Sequence, residues 1–335
     1  ACLADWTRQG VLAVDPAPSF TVYRMRFTDA SGASRSVSGV LGGLAVVDEG
    51  AGGVLPHERT TPKASTDRLD LTRAAAANLS PVWGLSLAGG LTEVLAEPGE
   101  PLGSVDLDGV VHSVERVSDP SRLAAIQAAV AADDVLIADG HHRYGVSRLY
   151  RDEVRAATGQ TDTAAELTLA FVNELRADQL SIEAIHRLVG DLGLTALRSR
   201  LAQFFDLAPA AWPTPTTLAE MADLGRLVLL SPDGAAEWLI PKAGAFEGVR
   251  ALDGAYLEHA LAGLGGQVAY QHGLEETTAA VRSGAWTAGI LIRPTSLAEI
   301  IRTAREGLLM PPKSTFFTPK LLTGWAIRPT APLPA

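Results

Sequence analysis

Residues 133–144 read DDVLIADGHHRY, and the fold turns on how this run divides. The apolar VLIA at 135–138 is too short for a helix and dense enough for a buried strand. Asp139-Gly140 makes a turn. Val146, Leu149, Tyr150 and Val154 then repeat at helical spacing as far as Gly159, a C-terminal stop. A strand, a turn and a helix starting near 143–145 place His141, His142 and Arg143 at a helix N-terminus. Backbone N–H groups and the helix dipole favour an anion there. Arg143 adds a planar donor fork suited to phosphate oxygens, and Gly140 lets a ligand approach the backbone. A helix capped by Asp139 is the plainer alternative, but a cap does not require His-His-Arg-Tyr.

Outward from this run the first part of the chain is β-rich. FTVYRMRF (20–27), VLGGLAVVDEG (40–50), VHSVERV (111–117) and LTLAFV (167–172) all read as strands. The segment 54–70 starts as a loop. Leu69, Ala74, Ala77 and Leu79 predict a helix that stops near Ser80-Pro81. Asp119 caps the next helix, with Pro120 at its first position, where the missing N–H costs nothing.

From about Leu188 the pattern changes. A helix is expected over 194–205, and AWPTPT (211–216) is a linker or loop. Residues 227–240 form a hairpin around Pro232-Asp233-Gly234. Helices are expected at 255–264 and 274–284, a strand at 289–294, and a helix through Arg305 opened by a Ser296/Glu299 capping box. The expected fold is mixed α and β in two domains, residues 1–190 and 191–335, with a soft boundary between 185 and 215.

The totals narrow the class. With 335 residues, two domains are the prior. Lys plus Arg is 28 against 38 Asp plus Glu, a net charge of −10 that argues against a nucleic-acid binder. No apolar run reaches the roughly 18 residues of a membrane span. The single Cys2 cannot form an internal disulfide, which fits a reducing cytoplasm. The start, ACLADWTRQG, lacks an initiator Met and a secretory signal, and is expected to be processed or truncated. The sequence sets no oligomeric state.

Three other clusters carry polar chemistry. PHERT (56–60), followed by Lys63, Asp67 and Arg68, offers Glu58 as a general base beside His57 and a positive surround; a solvated charged loop is the alternative. MPPKSTFFTPK (310–320) sets Lys313, Ser314 and Thr315 beside stiffening prolines. It is no P-loop, since no Gly-x-x-x-x-Gly-Lys precedes it; an ordinary turn before an apolar strand is the alternative. EAIHRLV (183–189) carries His186-Arg187, a pair more often structural than catalytic. Spacing supports no protein-ligated transition metal.

In order, PHERT, Asp67-Arg68, ANLSPVWGL (77–85), SDP (118–120), ADGHHRY (138–144), IHRLV (185–189) and MPPKSTFFTPKL (310–321) resemble a bacterial and archaeal family, domain of unknown function 1015, over about residues 54–325. Members usually carry a further N-terminal stretch. More distantly, the strand–turn–helix with DGHHR resembles the phosphate-binding box of the ParB and sulfiredoxin superfamily. That superfamily includes nucleotide-dependent partition proteins, sulfiredoxin and free serine kinases. The resemblance implies a ParB/sulfiredoxin-like N-terminal core with a second α/β domain. His141 stands where sulfiredoxin has its cysteine, so sulfinic-acid repair is not expected.

The resemblance to the serine kinases implies phosphoryl transfer to a small hydroxy amino acid, best matched by free serine, with ATP or ADP and Mg²⁺. Glu58 matches their upstream catalytic Glu. Asp139 and His141 join it as catalytic candidates. Gly140, His141, His142, Arg143, Lys313, Ser314 and Thr315 are the candidate phosphate or nucleotide contacts, and His57, Thr60, Arg68, His186 and Arg187 the candidate substrate contacts. An O-phosphoserine phosphatase and a non-catalytic sensor of a nucleotide or phosphorylated metabolite are the other readings of the same box.

Overall fold

The computed structural model describes residues 2–29, 32–59 and 63–330. The fold is mixed α and β, in two compact units. The first comprises residues 1–181, 301–309 and 317–335; the second comprises 182–300 and 310–316. The chain thus crosses at 181/182, where the sequence suggested 190/191, and its C-terminal part returns twice to the first unit. A single boundary cannot describe that path. His186 and Arg187 consequently lie in the second unit.

The first unit is built on an eight-stranded mixed sheet. Its spatial order is Val54–Leu55, Val135–Asp139, Val82–Ser86, Leu167–Glu174, Ser34–Ala45, Phe20–Thr28, Val110–Val117 and Glu100–Leu107. Pairing is parallel between Val54–Leu55 and Val135–Asp139, and between Val82–Ser86 and Leu167–Glu174. VLIA is buried throughout, as its unbroken apolar run requires of a strand covered on both faces. Helix Pro120–Ala131 packs Ile126 into this core with Val135, Ile137, Val172 and Leu91. Asp119 caps it, its carboxylate accepting from the Arg122 N–H at 2.9 Å.

One sequence expectation in this unit fails for an identifiable reason, and two strands carry no pattern that would announce them. The helix before Ser80-Pro81 is Lys63–Ala75, and it ends where Ala76 takes a left-handed φ of 47°. Ala77–Asn78 then pairs with Arg328–Pro329 from the far end of the chain. A long-range pairing overrides the helix propensity of RAAAAN. The strands Val82–Ser86 and Glu100–Leu107 were not anticipated. The first is buried at every position and the second exposed at every position, so neither alternates.

The second unit is an antiparallel six-stranded sheet ordered Phe205–Ala210, Ala236–Pro241, Leu227–Leu230, Ala288–Leu291, Ile185–Gly190 and Gln267–His272. The hairpin at 227–240 forms as read. Helix Leu194–Leu201 stops before residue 205, because Phe205 opens the edge strand instead. AWPTPT is a loop inside this unit. The Ser296 hydroxyl accepts from the Glu299 N–H at 3.2 Å, as a capping box does. Among the described residues no helix is long and apolar enough to cross a membrane.

Candidate phosphate-binding box

The strand Val135–Asp139 delivers its last residue to one end of the sheet, and helix His141–Thr158 begins two residues later. Helix and strand both run slightly closer to Gly140 than the sequence suggested. Gly140 is the N-cap, at φ 90° and ψ 26°. A side chain there would sit 2.7 Å from Arg143 Nε, so the left-handed turn and the folded-back guanidinium both call for glycine. Among the described residues no side chain caps the helix start at Gly140. Asp139 is therefore not the cap, and the first-turn amides of His141, His142 and Arg143 form the anion-favouring end of an eighteen-residue helix.

Asp139 has other partners. Its Oδ2 lies 3.3 Å from an Arg143 guanidinium nitrogen and 3.4 Å from Lys320 Nζ. Burial alone would push this carboxyl up, but Lys320, Arg143 and the Gly140 amide together hold it below the ordinary carboxylate value. Burial lowers the Arg143 guanidinium, Asp139 opposes that, and nearby Arg68 adds to it.

The PHERT loop is tied to the box through its histidine. The His57 N–H donates to His141 Nε2 at 3.3 Å, and the two rings meet edge-on with centroids 4.7 Å apart. An accepting Nε2 means a neutral imidazole with its proton on Nδ1. Burial first, then His57 and His142, hold His141 well below the ordinary imidazole value. Burial takes His57 down to about 4, partly offset by its hydrogen bond to the backbone of Ile137. Both rings are thus neutral at physiological pH. Glu58, half-buried, follows His57 directly. Thr60 lies outside the described residues.

Beside the helix start is a cavity of about 80 Å³, lined by Arg68 and Arg143 with Thr72, Asn78, Ser80 and Ser147 among its polar walls. Arg68 and Arg143, selected separately from sequence, meet on one small polar space. Tyr144, in contrast, serves the fold. Its hydroxyl donates to Ala45 O and accepts from the Val47 N–H, both at 2.9 Å, and so pins the end of a central strand.

The remaining candidates lie in the second unit. His186 Nδ1 accepts from the Ile292 N–H at 3.2 Å, and burial, aided by Arg187, lowers its pKa to about 4. Arg187 is buried, donates to the carbonyls of Ile185 and Lys313, and lies 4.6 Å over the Tyr270 ring. The Ser314 hydroxyl donates to Pro311 O at 2.7 Å, and the Thr295 hydroxyl donates to Ser314 O at 3.0 Å. Lys313 is exposed, with φ 61°, and Thr315 is half-buried. In these contacts Arg187 and Ser314 brace the turn at 311–314, while His186 holds the backbone at Ile292.

Lys320 was not singled out from sequence, although it closes the MPPKSTFFTPK run. The only local signal was a lysine after Thr318-Pro319.

The donor set does not suit a Mg²⁺ ion held by protein carboxylates. Asp139 already faces two cations, and no group of three or more His, Cys, Asp or Glu forms an ion site among the described residues.

The sequence model of a family described as protein of unknown function (DUF1015) matches residues 1–255. That span starts earlier than the 54 suggested by the motifs and stops short of the 310–321 segment. No curated protein matches the chain. Among solved structures, a free serine kinase in complex with AMP is 12% identical, with 84% of this chain and 88% of that chain covered and a TM-score of 0.46. A variant of free serine kinase in complex with ADP is 13% identical, with 84% and 87% covered and a TM-score of 0.46. A conserved hypothetical protein from Pyrococcus furiosus is 12% identical, with 84% and 90% covered and a TM-score of 0.45.

Proposed function

The chain belongs to the family of proteins of unknown function DUF1015, and from its box we propose that it transfers a phosphoryl group to a small hydroxy amino acid, free serine being the best match, from ATP or ADP. The observation that carries the proposal is the uncapped helix start after Gly140, flanked by Arg143 and Lys320 around Asp139.

Phosphoryl transfer asks a protein chiefly for positioning and charge neutralisation, and those groups are of that kind. In the proposed reaction the serine hydroxyl oxygen forms a bond to the terminal phosphorus, the bond to the nucleotide oxygen breaks, and the hydroxyl proton passes to Glu58. The products are O-phosphoserine and the shortened nucleotide. The first-turn amides, His142 and Arg143 take the phosphate oxygens.

His141 has a different part from the direct phosphate contact expected of it. Its Nε2 already accepts from the His57 N–H, so we assign it to holding the loop that carries Glu58. The Arg68–Arg143 cavity suits the carboxylate of the amino acid, since guanidinium groups favour bidentate carboxylates. Magnesium enters with the nucleotide, as part of the substrate.

Binding is tested by calorimetric titration of ATP, ADP and O-phosphoserine into the full chain. The proposal requires uptake of a nucleotide and of phosphoserine, weakened by added salt. No uptake of either contradicts it.

A further inference from the structure

Lys320 comes to the box from near the end of the chain. Its ammonium shares one oxygen of Asp139 with Arg143, at 3.4 and 3.3 Å. One carboxylate therefore faces two cations. The Lys320 side chain keeps 43% of its surface exposed, so it is not locked away from an incoming ligand.

The segment that carries it is fastened on both sides. Before it, Phe317 is buried against Trp83 and His57, with ring centroids 5.9 and 6.4 Å apart. After it, the Leu322 N–H donates to the Tyr23 hydroxyl at 3.2 Å. That hydroxyl is 2.7 Å from His112 Nδ1, and both rings are buried in the sheet. The hydroxyls of Ser80 and Thr323 lie 2.9 Å apart, and Arg328 donates to the carbonyls of Leu167 and Ala164 at 2.8 Å. A lysine on a loose tail would lose much of its binding energy to ordering. Here the backbone on each side is already placed, and only side-chain rotamers remain to be fixed.

We propose that Lys320 is a ligand-binding cation of the box, with Asp139 as its resting partner, and that it turns to a phosphate oxygen when a phosphorylated ligand enters. This rests on the phosphate-box reading above. A purely structural Lys320–Asp139 pair makes the opposite prediction once Asp139 is neutralised.

The experiment is calorimetric titration of O-phosphoserine and of ADP into the full chain, at two salt concentrations. It compares wild type, Lys320→Gln, Lys320→Arg, Asp139→Asn and the Asp139→Asn/Lys320→Gln double variant. Lys320→Gln is expected to weaken binding roughly 10- to 100-fold, the range for a charged hydrogen bond, and to flatten its salt dependence. Lys320→Arg keeps the charge and restores most of the affinity. Lys320→Gln must still weaken binding when Asp139 is already Asn. Wild-type affinity in Lys320→Gln, or loss of its effect in the Asp139→Asn background, overturns the inference. So does a loss that follows melting temperature rather than charge. If wild type itself takes neither ligand, the phosphate-box reading falls and Lys320 with it. If wild type binds and Lys320→Gln binds equally, only Lys320 falls.

Discussion

The backbone N–H of His57 points at Nε2 of His141, 3.3 Å away, so the loop preceding Glu58 is held by the first residue of the box helix. This hydrogen bond needs a neutral His141, and burial keeps it neutral.

Stability should depend on acid for this reason. His57 and His186 each titrate at about 4 in the fold, against 6.5 ordinarily. Between those values the unfolded chain binds more protons than the folded one. Stability is therefore complete above pH 6.5 and falls as pH drops through about 4, each histidine costing up to about 3 kcal/mol. Urea unfolding from pH 8 down to 4 should show the midpoint falling over that interval. A constant midpoint would contradict the buried neutral rings.

Arg143 lines the cavity with Arg68 and stands at the uncapped helix start. Arg143→Ala should weaken binding of O-phosphoserine or ADP by about 1.5–3 kcal/mol, the worth of a charged hydrogen bond. Unchanged affinity in calorimetry would remove Arg143 from the site.

Glu58 is assigned the proton of the hydroxyl. Glu58→Gln should leave ligand affinity within about twofold and cut turnover at least about 100-fold, the low end for a general base. Turnover that survives would send the search for the base elsewhere.

Gly140 holds φ 90°, and a side chain there would press on the Arg143 guanidinium. Gly140→Ala should cost about 1–2 kcal/mol of stability, the penalty for a left-handed L-residue, and should weaken phosphate binding as well. Both readouts are needed: a stability loss with intact binding would mean that Arg143 simply moves aside.

Tyr23→Phe removes a hydroxyl that serves His112 and the Leu322 N–H together. Leaving buried polar groups without that partner should cost about 1–3 kcal/mol in denaturant unfolding. A neutral result would show that the 317–325 segment is not fastened there.

The strand, turn and helix around Gly140 were legible in the sequence. A short apolar run, a glycine and a helical repeat identify strand, turn and helix locally, whereas the packing of the His141 ring against His57 is not marked by any local pattern. Two further strands of the first unit were equally plain, because Phe20–Thr28 and Val110–Val117 are rich in β-branched residues. What was illegible depends on partners distant in the chain. Lys320 meets Asp139, Tyr23 meets Leu322, and Ala77–Asn78 meets Arg328–Pro329, and no local periodicity marks any of these. The edge strand Gln267–His272 escaped because none of its positions is buried, and its large apolar residues Val268 and Tyr270 stay exposed. The Asp139 cap was a reasonable local reading that lost to two cations competing for the same carboxylate.

The most direct measurement is phosphorus NMR of the purified chain with Mg²⁺, in one sample with L-serine and ATP or ADP, and in another with O-phosphoserine with and without nucleotide. Phosphoryl transfer to serine predicts a new O-phosphoserine resonance in the first sample, lost in Glu58→Gln. Free phosphate from phosphoserine alone would identify a phosphatase working through the same box. Unchanged spectra in every sample, with ligand still bound, would contradict the proposed serine chemistry and leave a binding protein that senses its ligand.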